Sequence, residues 1–294
     1  MTLLALALVL TAAVLHATWN LAAKRAGSGL PFVFGVGVFM TAYYVPIVLG
    51  MLWWPGGPRL SSADLAVIGV STVLKTGYAL FLQRAYRSGD FSIVYPLVRG
   101  SAPLLATLGA ALFLGEHPSM LGLVGALLIV GSIFVLSHGE RIWKGSTTTH
   151  ASSPRLLALG NALVAGSFIA TYTVWDRHAM SHHAINPVVF DGLTNIGLTL
   201  LLAPFAWGRR AEVTQIWQTN RREIIIMGTL SPLAYVLVLT ALSFTPVSYV
   251  APAREFSILI GAYLGARILG ETENPRRMKC AIVMIIGLIT LALA

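Results

Sequence analysis

Lys75, Arg99, Asp191, Arg254 and Glu255 carry charge inside long apolar runs of this 294-residue chain. A charge at bilayer depth costs at least about 2.5 kcal/mol on insertion scales, so each must face a partner or a polar cavity. Arg99 and Arg254 sit at matching depths of two runs, 155 residues apart. Two guanidinium groups facing one cavity suit a carboxylate, phosphate or phosphonate, because Arg grips such groups through paired hydrogen bonds. The structural alternative is that each Arg pairs with a carboxylate or with helix carbonyls and fixes packing. Lys75, with Tyr78 one turn on, puts an ammonium and a phenol on one helix face. It suits an anion or a pairing with Glu255. Glu255 is the deepest carboxylate of the second half, poised to carry a coupling proton or to pair with Arg99 or Lys75.

Uncharged groups complete a candidate pocket. His16 and Asn20 are one turn apart with Trp19 between them, and Tyr172 repeats the aromatic in the second half. Asn20 can hydrogen-bond a solute, and Trp19 can stack on one or cap a cation; interhelical hydrogen bonding is the structural alternative. Asp191 shares a face with Asn195 but lies near the end of its run, where hydration accounts for it. His182 and His183 are adjacent loop residues that do not converge on a metal without further ligands. The single cysteine, Cys280, excludes an intrachain disulfide and thiolate clusters held by this chain alone. No cofactor and no metal are expected.

These groups need an unusual scaffold. The chain is 56% hydrophobic and 11% charged, against roughly 25% charged for soluble domains. Its mean hydropathy is +0.77. There is too little charge to cover a water-facing surface, so the solvent is lipid. Runs of about 20 residues long enough to cross the hydrocarbon core occupy 3–23, 32–54, 64–86, 91–115, 119–137, 156–176, 187–207, 223–244, 247–269 and 278–294. In lipid these must be helices, since irregular backbone leaves polar groups unpaired. The first 23 residues contain no charged side chain and read as a retained span. Pro96, Pro103, Pro232 and Pro252 fall inside spans and can bend them. Gly261 and Gly265 form a small face for close packing.

The chain repeats itself. Ala17-Thr18-Trp19-Asn20 with Lys24-Arg25-Ala26 matches Ala170-Thr171-Tyr172-Thr173 with Arg177-His178-Ala179, at an offset of 153. Val94-Tyr95-Pro96 matches Val250-Ala251-Pro252 at 156, and Gly115-Glu116 matches Gly270-Glu271 at 155. The expected architecture is an all-α membrane protein of about ten transmembrane helices. Residues 1–137 form one five-helix repeat, 138–154 a polar linker, and 155–294 the second repeat. Five spans per half is odd, so the second half must cross inverted, as in many secondary transporters with a midplane site. The net charge of +9 reflects topology and not nucleic acid. Loops after odd-numbered spans carry Lys24, Arg25, Arg84, Arg87, Arg141, Lys144, Arg155, Arg209, Arg210, Arg221, Arg222, Arg276, Arg277 and Lys279; those after even-numbered spans carry Arg59 and Arg177. The positive-inside rule then puts both termini outside the cytoplasm.

Ten spans, the five-plus-five repeat and a Gly-Glu after spans four and nine resemble the EamA group of the drug/metabolite transporter superfamily, over essentially the whole chain. His16-Ala17-Thr18-Trp19-Asn20 with Lys24 also resembles a first-span variant in bacterial members, a few of them associated with phosphonate use. The resemblance implies a bacterial inner-membrane permease or exporter that alternates access without ATP around a central cavity. It also implies cytoplasmic termini, opposite to the charge bias.

The function read from these residues is secondary transport of a small polar metabolite with an anionic group: a carboxylate, a phosphonate or an amino acid. Arg99, Lys75 and Arg254 would attract the anion, and Trp19, Asn20, Tyr78 and Tyr172 would complete the pocket. An exporter of hydrophobic or cationic drugs is the alternative, disfavoured by an in-span balance that reads basic. An intramembrane enzyme would need a convergent acid–base or metal group. No phosphate-binding loop, zinc-protease His-Glu-x-x-His or Gly-x-Ser-x-Gly elbow is present. The expected partners are the solute, the lipid bilayer and a proton or counter-transported solute. Assembly as a homodimer is left open, and nucleic acid is not expected.

Overall fold

Apolar runs in lipid must satisfy every backbone N–H and C=O within themselves. The computed structural model of this chain meets that demand with helices throughout. It describes residues 1–26, 29–88, 91–138, 153–269 and 275–294. The Gly270-Glu271 match and residues 139–152 of the expected linker lie outside the described residues. So do the side chains of Lys24, Tyr95, Pro96, Arg155, Gly265, Arg276 and Arg277.

The helices are α1 (Leu3–Arg25), α2 (Leu30–Trp53), α3 (Ser62–Ser88), α4 (Phe91–Phe113), α5 (Met120–His138), α6 (Ser153–His182), α7 (Pro187–Trp207), α8 (Arg210–Thr219), α9 (Arg221–Leu242), α10 (Val247–Arg254), α11 (Phe256–Leu269) and α12 (Pro275–Leu293). Six of them, α1, α2, α3, α6, α7 and α9, are long and apolar enough to cross a membrane, and α4, α5 and α12 contain shorter apolar stretches. Among the described residues there is no strand.

Three sequence expectations need correction. The run 247–269 is not one helix: it breaks at Glu255 into α10 and α11. Pro252 has no N–H to donate to the preceding turn. The chain then tightens, with Glu255 N donating to the Pro252 carbonyl at 3.0 Å and Ile258 N to the Glu255 carbonyl at 2.9 Å. The polar stretch after α7 is not a plain loop. It holds α8, which buries none of its residues and has the polar, arginine-flanked character of a helix lying along an interface. There Arg209 donates to Glu212 and holds its carboxyl below the ordinary range. Finally, α6 does not stop at 176 but runs on to His182, which makes Asp176 a helix-interior residue.

Packing between the halves is reciprocal. α3 packs on α6 and α1 on α9; α2 packs on α7 and α5 on α12. Gly37 and Gly192 are 155 residues apart, as are Tyr44 and Thr199. A Cβ on Gly37 would meet Thr199 Oγ1 at 2.5 Å, and one on Gly192 would meet Tyr44 Cδ1 at 2.8 Å. Gly125 and Gly287 repeat the pattern at an offset of 162, which also relates Ile129 to Leu291. A Cβ on Gly125 would lie 2.7 Å from Leu291 N and 2.7 Å from the Gly287 carbonyl. On Gly287 it would lie 3.0 Å from Ile129 Cγ1 and 2.9 Å from the Gly125 carbonyl. Each contact is made twice with the roles exchanged, as in a two-fold interface. The two chain ends also meet: the Met1 ammonium donates to the Ala292 carbonyl at 3.2 Å.

The α5–α12 crossing brings backbone against backbone, so no side chain can rotate away to relieve a clash. Gly125→Ala is expected to cost about 1–3 kcal/mol, the usual range for overpacking. Gly131→Ala, on the same helix with nothing within 4 Å, is expected to be neutral or mildly stabilising. Thermal unfolding of both variants in detergent checks this; equal melting temperatures would refute the close crossing.

Candidate functional site

Glu116 organises one end of the site. Gly115 adopts φ of 65°, a left-handed turn that suits glycine. The Glu116 carboxylate then reaches the start of α10, accepting from Val247 N at 2.8 Å, Ser248 N at 3.0 Å and Ser248 Oγ at 2.8 Å. A carboxylate on the free N–H groups of a helix start is favoured both by hydrogen bonding and by the helix dipole. The Gly-Glu motif is thus a clamp from the first half on the helix that carries Arg254.

At the α10–α11 break lies a buried ionic cluster. Arg99 is 7% exposed, Arg254 6% and Glu255 1%. Arg99 Nε lies 3.0 Å from Glu255 Oε2, an ionic contact without hydrogen-bond alignment. Arg254 Nε is 3.9 Å from Glu255 Oε1. Arg99 Nη2 also approaches His16 Nε2 at 3.2 Å and Ser257 Oγ at 3.4 Å. The ring of Trp19 meets His16 edge-on at 4.5 Å. Two N–H donors here, Trp19 Nε1 and Arg254 Nε, are buried without an acceptor. Among the described residues, two guanidiniums share the one carboxylate of Glu255.

A second cluster centres on Lys75, which is paired with Asp176 and not with Glu255. Asp176 is fully buried. It accepts from Ser71 Oγ at 2.6 Å and Tyr235 OH at 2.5 Å, and Lys75 Nζ stands 3.2 Å away. Lys75 also donates to Thr194 Oγ1 at 3.3 Å. Its ammonium lies over three rings, with centroids at 4.5 Å for Tyr235, 5.1 Å for Phe190 and 5.9 Å for Tyr172, a cage that stabilises a desolvated cation. Asp191 is not hydrated at a span end: it is 2% exposed and accepts from Tyr44 OH at 2.5 Å. Asn195, on the same face of α7, donates to the Asp191 backbone carbonyl at 2.8 Å.

Tyr172 joins the two clusters. It faces Tyr78 at 6.1 Å and Tyr235 at 6.4 Å, and lies within electrostatic reach of Arg99, Arg254, Glu255 and Asp176. The residues singled out in the sequence thus converge in part. Arg99, Arg254, Glu255, His16 and Trp19 form one group, and Lys75, Tyr172 and Tyr78 adjoin the other. Asn20 is half-buried one turn from His16 with no described hydrogen bond to either. Sequence reasoning missed Asp176, Tyr235 and Tyr44. Asp176 stands in Trp175-Asp176-Arg177-His178, which reads as a helix end because the polar residues are consecutive; a lysine at mid-span of α3 was the signal that a carboxylate had to meet it. With Asp176 included, the three cations of the two clusters, Lys75, Arg99 and Arg254, have as many carboxylates about them: Glu255, Asp176 and Asp191.

A helical, multi-pass membrane protein with ionic groups buried between its two halves is the class this geometry defines. The chain belongs to the EamA-like transporter family, whose family model matches residues 3–138 and 156–293, and so to the drug/metabolite transporter superfamily. It is a membrane transporter of that type. A solved structure described as "Crystal structure of protein" is 17% identical, with a TM-score of 0.77 over 98% of this chain and 96% of that one; the likeness is one of fold. No curated protein matches this chain.

Breaking one side of a buried pair strands the other charge, at a cost of about 3–5 kcal/mol. Lys75→Met is therefore expected to destabilise the protein by about that amount, and Lys75→Met with Asp176→Asn to recover part of it, a coupling read by a double-mutant cycle in detergent. Additive losses would show that the two groups do not depend on each other.

Proposed function

We propose that this protein is a secondary-active transporter of a small polar organic solute bearing an anionic group, a carboxylate, phosphonate or amino acid. The observation that carries the reading is the meeting of two buried arginines, Arg99 and Arg254, one from each half, at the single carboxylate of Glu255, beside buried N–H donors on Trp19 and Arg254 that have no acceptor among the described residues. A buried donor left unpaired costs about 1–3 kcal/mol, and an anion between the guanidiniums would satisfy donors and charge together. Trp19, Asn20, Tyr78, Tyr172 and Lys75 would frame the solute.

Alternating access in this reading comes from two inverted five-helix repeats crossing about ten times, with α10 and α11 as one broken span. Reciprocal contacts at Gly37/Gly192 and Gly125/Gly287 support a two-fold relation between halves. With an odd number of spans per half, that axis lies in the membrane plane. Chain ends in mutual contact suit an even number of crossings. The broken helix puts a charged residue where backbone groups are freed, a recurring feature of transporter sites.

Two experiments test the proposal. Liposomes containing only this protein are expected to accumulate labelled methylphosphonate, lactate or alanine. Arg99→Gln and Arg254→Gln should each reduce that uptake at least tenfold while the protein still inserts. Normal uptake by Arg99→Gln, or uptake of a cationic dye and none of the anions, would overturn the anion site. The setting proposed is a bacterial inner membrane with both termini outside the cytoplasm, as the basic loops after odd-numbered spans favour. A C-terminal alkaline phosphatase fusion should then be active; an inactive phosphatase with a fluorescent cytoplasmic reporter at the same end would reverse the orientation.

A further inference from the structure

Among the described residues, the second cluster carries a charge imbalance. Lys75 is the cation there, and Asp176 and Asp191 are both buried carboxylates. Fully ionised, the group would hold a net negative charge inside the bundle, where one uncompensated ion costs several kcal/mol. One proton removes the imbalance, and the hydrogen bonds indicate where it resides. Asp176 receives three donors, among them the ammonium. Asp191 receives one neutral donor on its carboxylate, Tyr44 OH, and no ion pair among the described residues. The ammonium pairs with Asp176 and Thr194, and among the described residues no salt bridge joins it to Asp191.

We infer that Asp191, with Lys75 and Asp176, is the titratable proton site of this transporter, distinct from the solute site at Arg99 and Arg254. The groups facing Asp191 are Tyr43 and Tyr44 from α2, Lys75 from α3 and Asp176 from α6. From α9, Tyr235 turns its hydroxyl to Asp176. On α8, which follows the opposite end of α7, Glu212 is bound by Arg209. Thr194 links the pair, accepting from Lys75 and donating to the Asp191 carbonyl at 3.0 Å. Gain or loss of a proton at Asp191 therefore changes the field on Lys75, whose ring contacts reach Tyr172 and the edge of the arginine cluster. Glu255 is the weaker candidate, because Arg99 and Arg254 already compensate it twice over.

The role rests on the transporter reading above, but the test uses no solute, so the two fail separately. Infrared difference spectra between acidic and alkaline pH are recorded on the purified protein in lipid bilayers. The wild type is expected to show the carbonyl stretch of a protonated buried carboxyl that titrates. The band should vanish in Asp191→Asn and persist in Glu255→Gln. In Tyr44→Phe, a near-isosteric change, it should shift upward in frequency, because the hydroxyl no longer weakens the carbonyl; this variant keeps the test open should Asp191→Asn fail to fold. No titrating carboxyl in the wild type, its survival in Asp191→Asn, its loss in Glu255→Gln, or an unmoved band in Tyr44→Phe overturns the assignment.

Discussion

Charge buried in a lipid-solvated bundle has to be neutralised locally, and much of this structure answers that demand. Among the described residues, Lys75, Arg99 and Arg254 stand beside Asp176, Asp191 and Glu255 between the helices, and lipid compensates none of them. A lone buried ion costs several kcal/mol even after relaxation, so the groups survive only as sets. The sets are not individually neutral. Arg99, Arg254 and Glu255 sum to one excess positive charge, and Lys75, Asp176 and Asp191 to one excess negative charge.

Holding such sets in register falls to backbone features. Pro252 interrupts the ladder and ends α10 where Arg254 and Glu255 stand, so adjacent residues on the broken span can turn toward the same partner. The clamp from Glu116 fixes the other end of α10 to the first half. Glycines let helices from opposite halves approach to backbone contact at the α5–α12 crossing, and at the α2–α7 crossing they make room for the side chains of Thr199 and Tyr44. Helix association in lipid relies on this kind of close packing, since lipid tails compete on equal terms for apolar side chains. The ionic groups are therefore positioned by small residues and helix ends that bear no charge-related chemistry themselves.

What the sequence made legible follows the same division. Helix positions were legible because a span is a long apolar run. The internal repeat was legible because Gly-Glu and Val-x-Pro recur in the sequence at nearly the same offset. Arg99, Arg254 and Lys75 stood out because a lone charge in an apolar run has no local explanation. The partners of those charges were harder to find. Asp176 hides among polar neighbours at what looks like a helix end, and only the length of α6 places it inside. Asp191 sits five residues into α7, where exposure and burial read alike until Tyr44 is seen to cover it. The break at Glu255 was obscured because the residues on both sides are apolar enough to continue the run. Pairings across helices more than a hundred residues apart, such as Lys75 with Asp176, depend on packing that hydropathy does not encode.

Opposite excess charges in neighbouring clusters have a thermodynamic consequence. Under the assignments proposed above, an anion bound at the arginines and a proton bound at Asp191 would attract each other. A coupling of about 1.4 kcal/mol between the two would be a tenfold change in affinity. Linkage makes that change reciprocal: the anion strengthens proton binding by the same factor as the proton strengthens anion binding. Such a pair favours the empty and the doubly loaded states over either singly loaded one, which is what co-transport of a solute with a proton requires. No conformational relay between the sites is needed for this part of the mechanism, because the field of one charge on the other supplies it. In the proposed transporter the helices would then need only expose both sites together, first to one side of the membrane and then to the other.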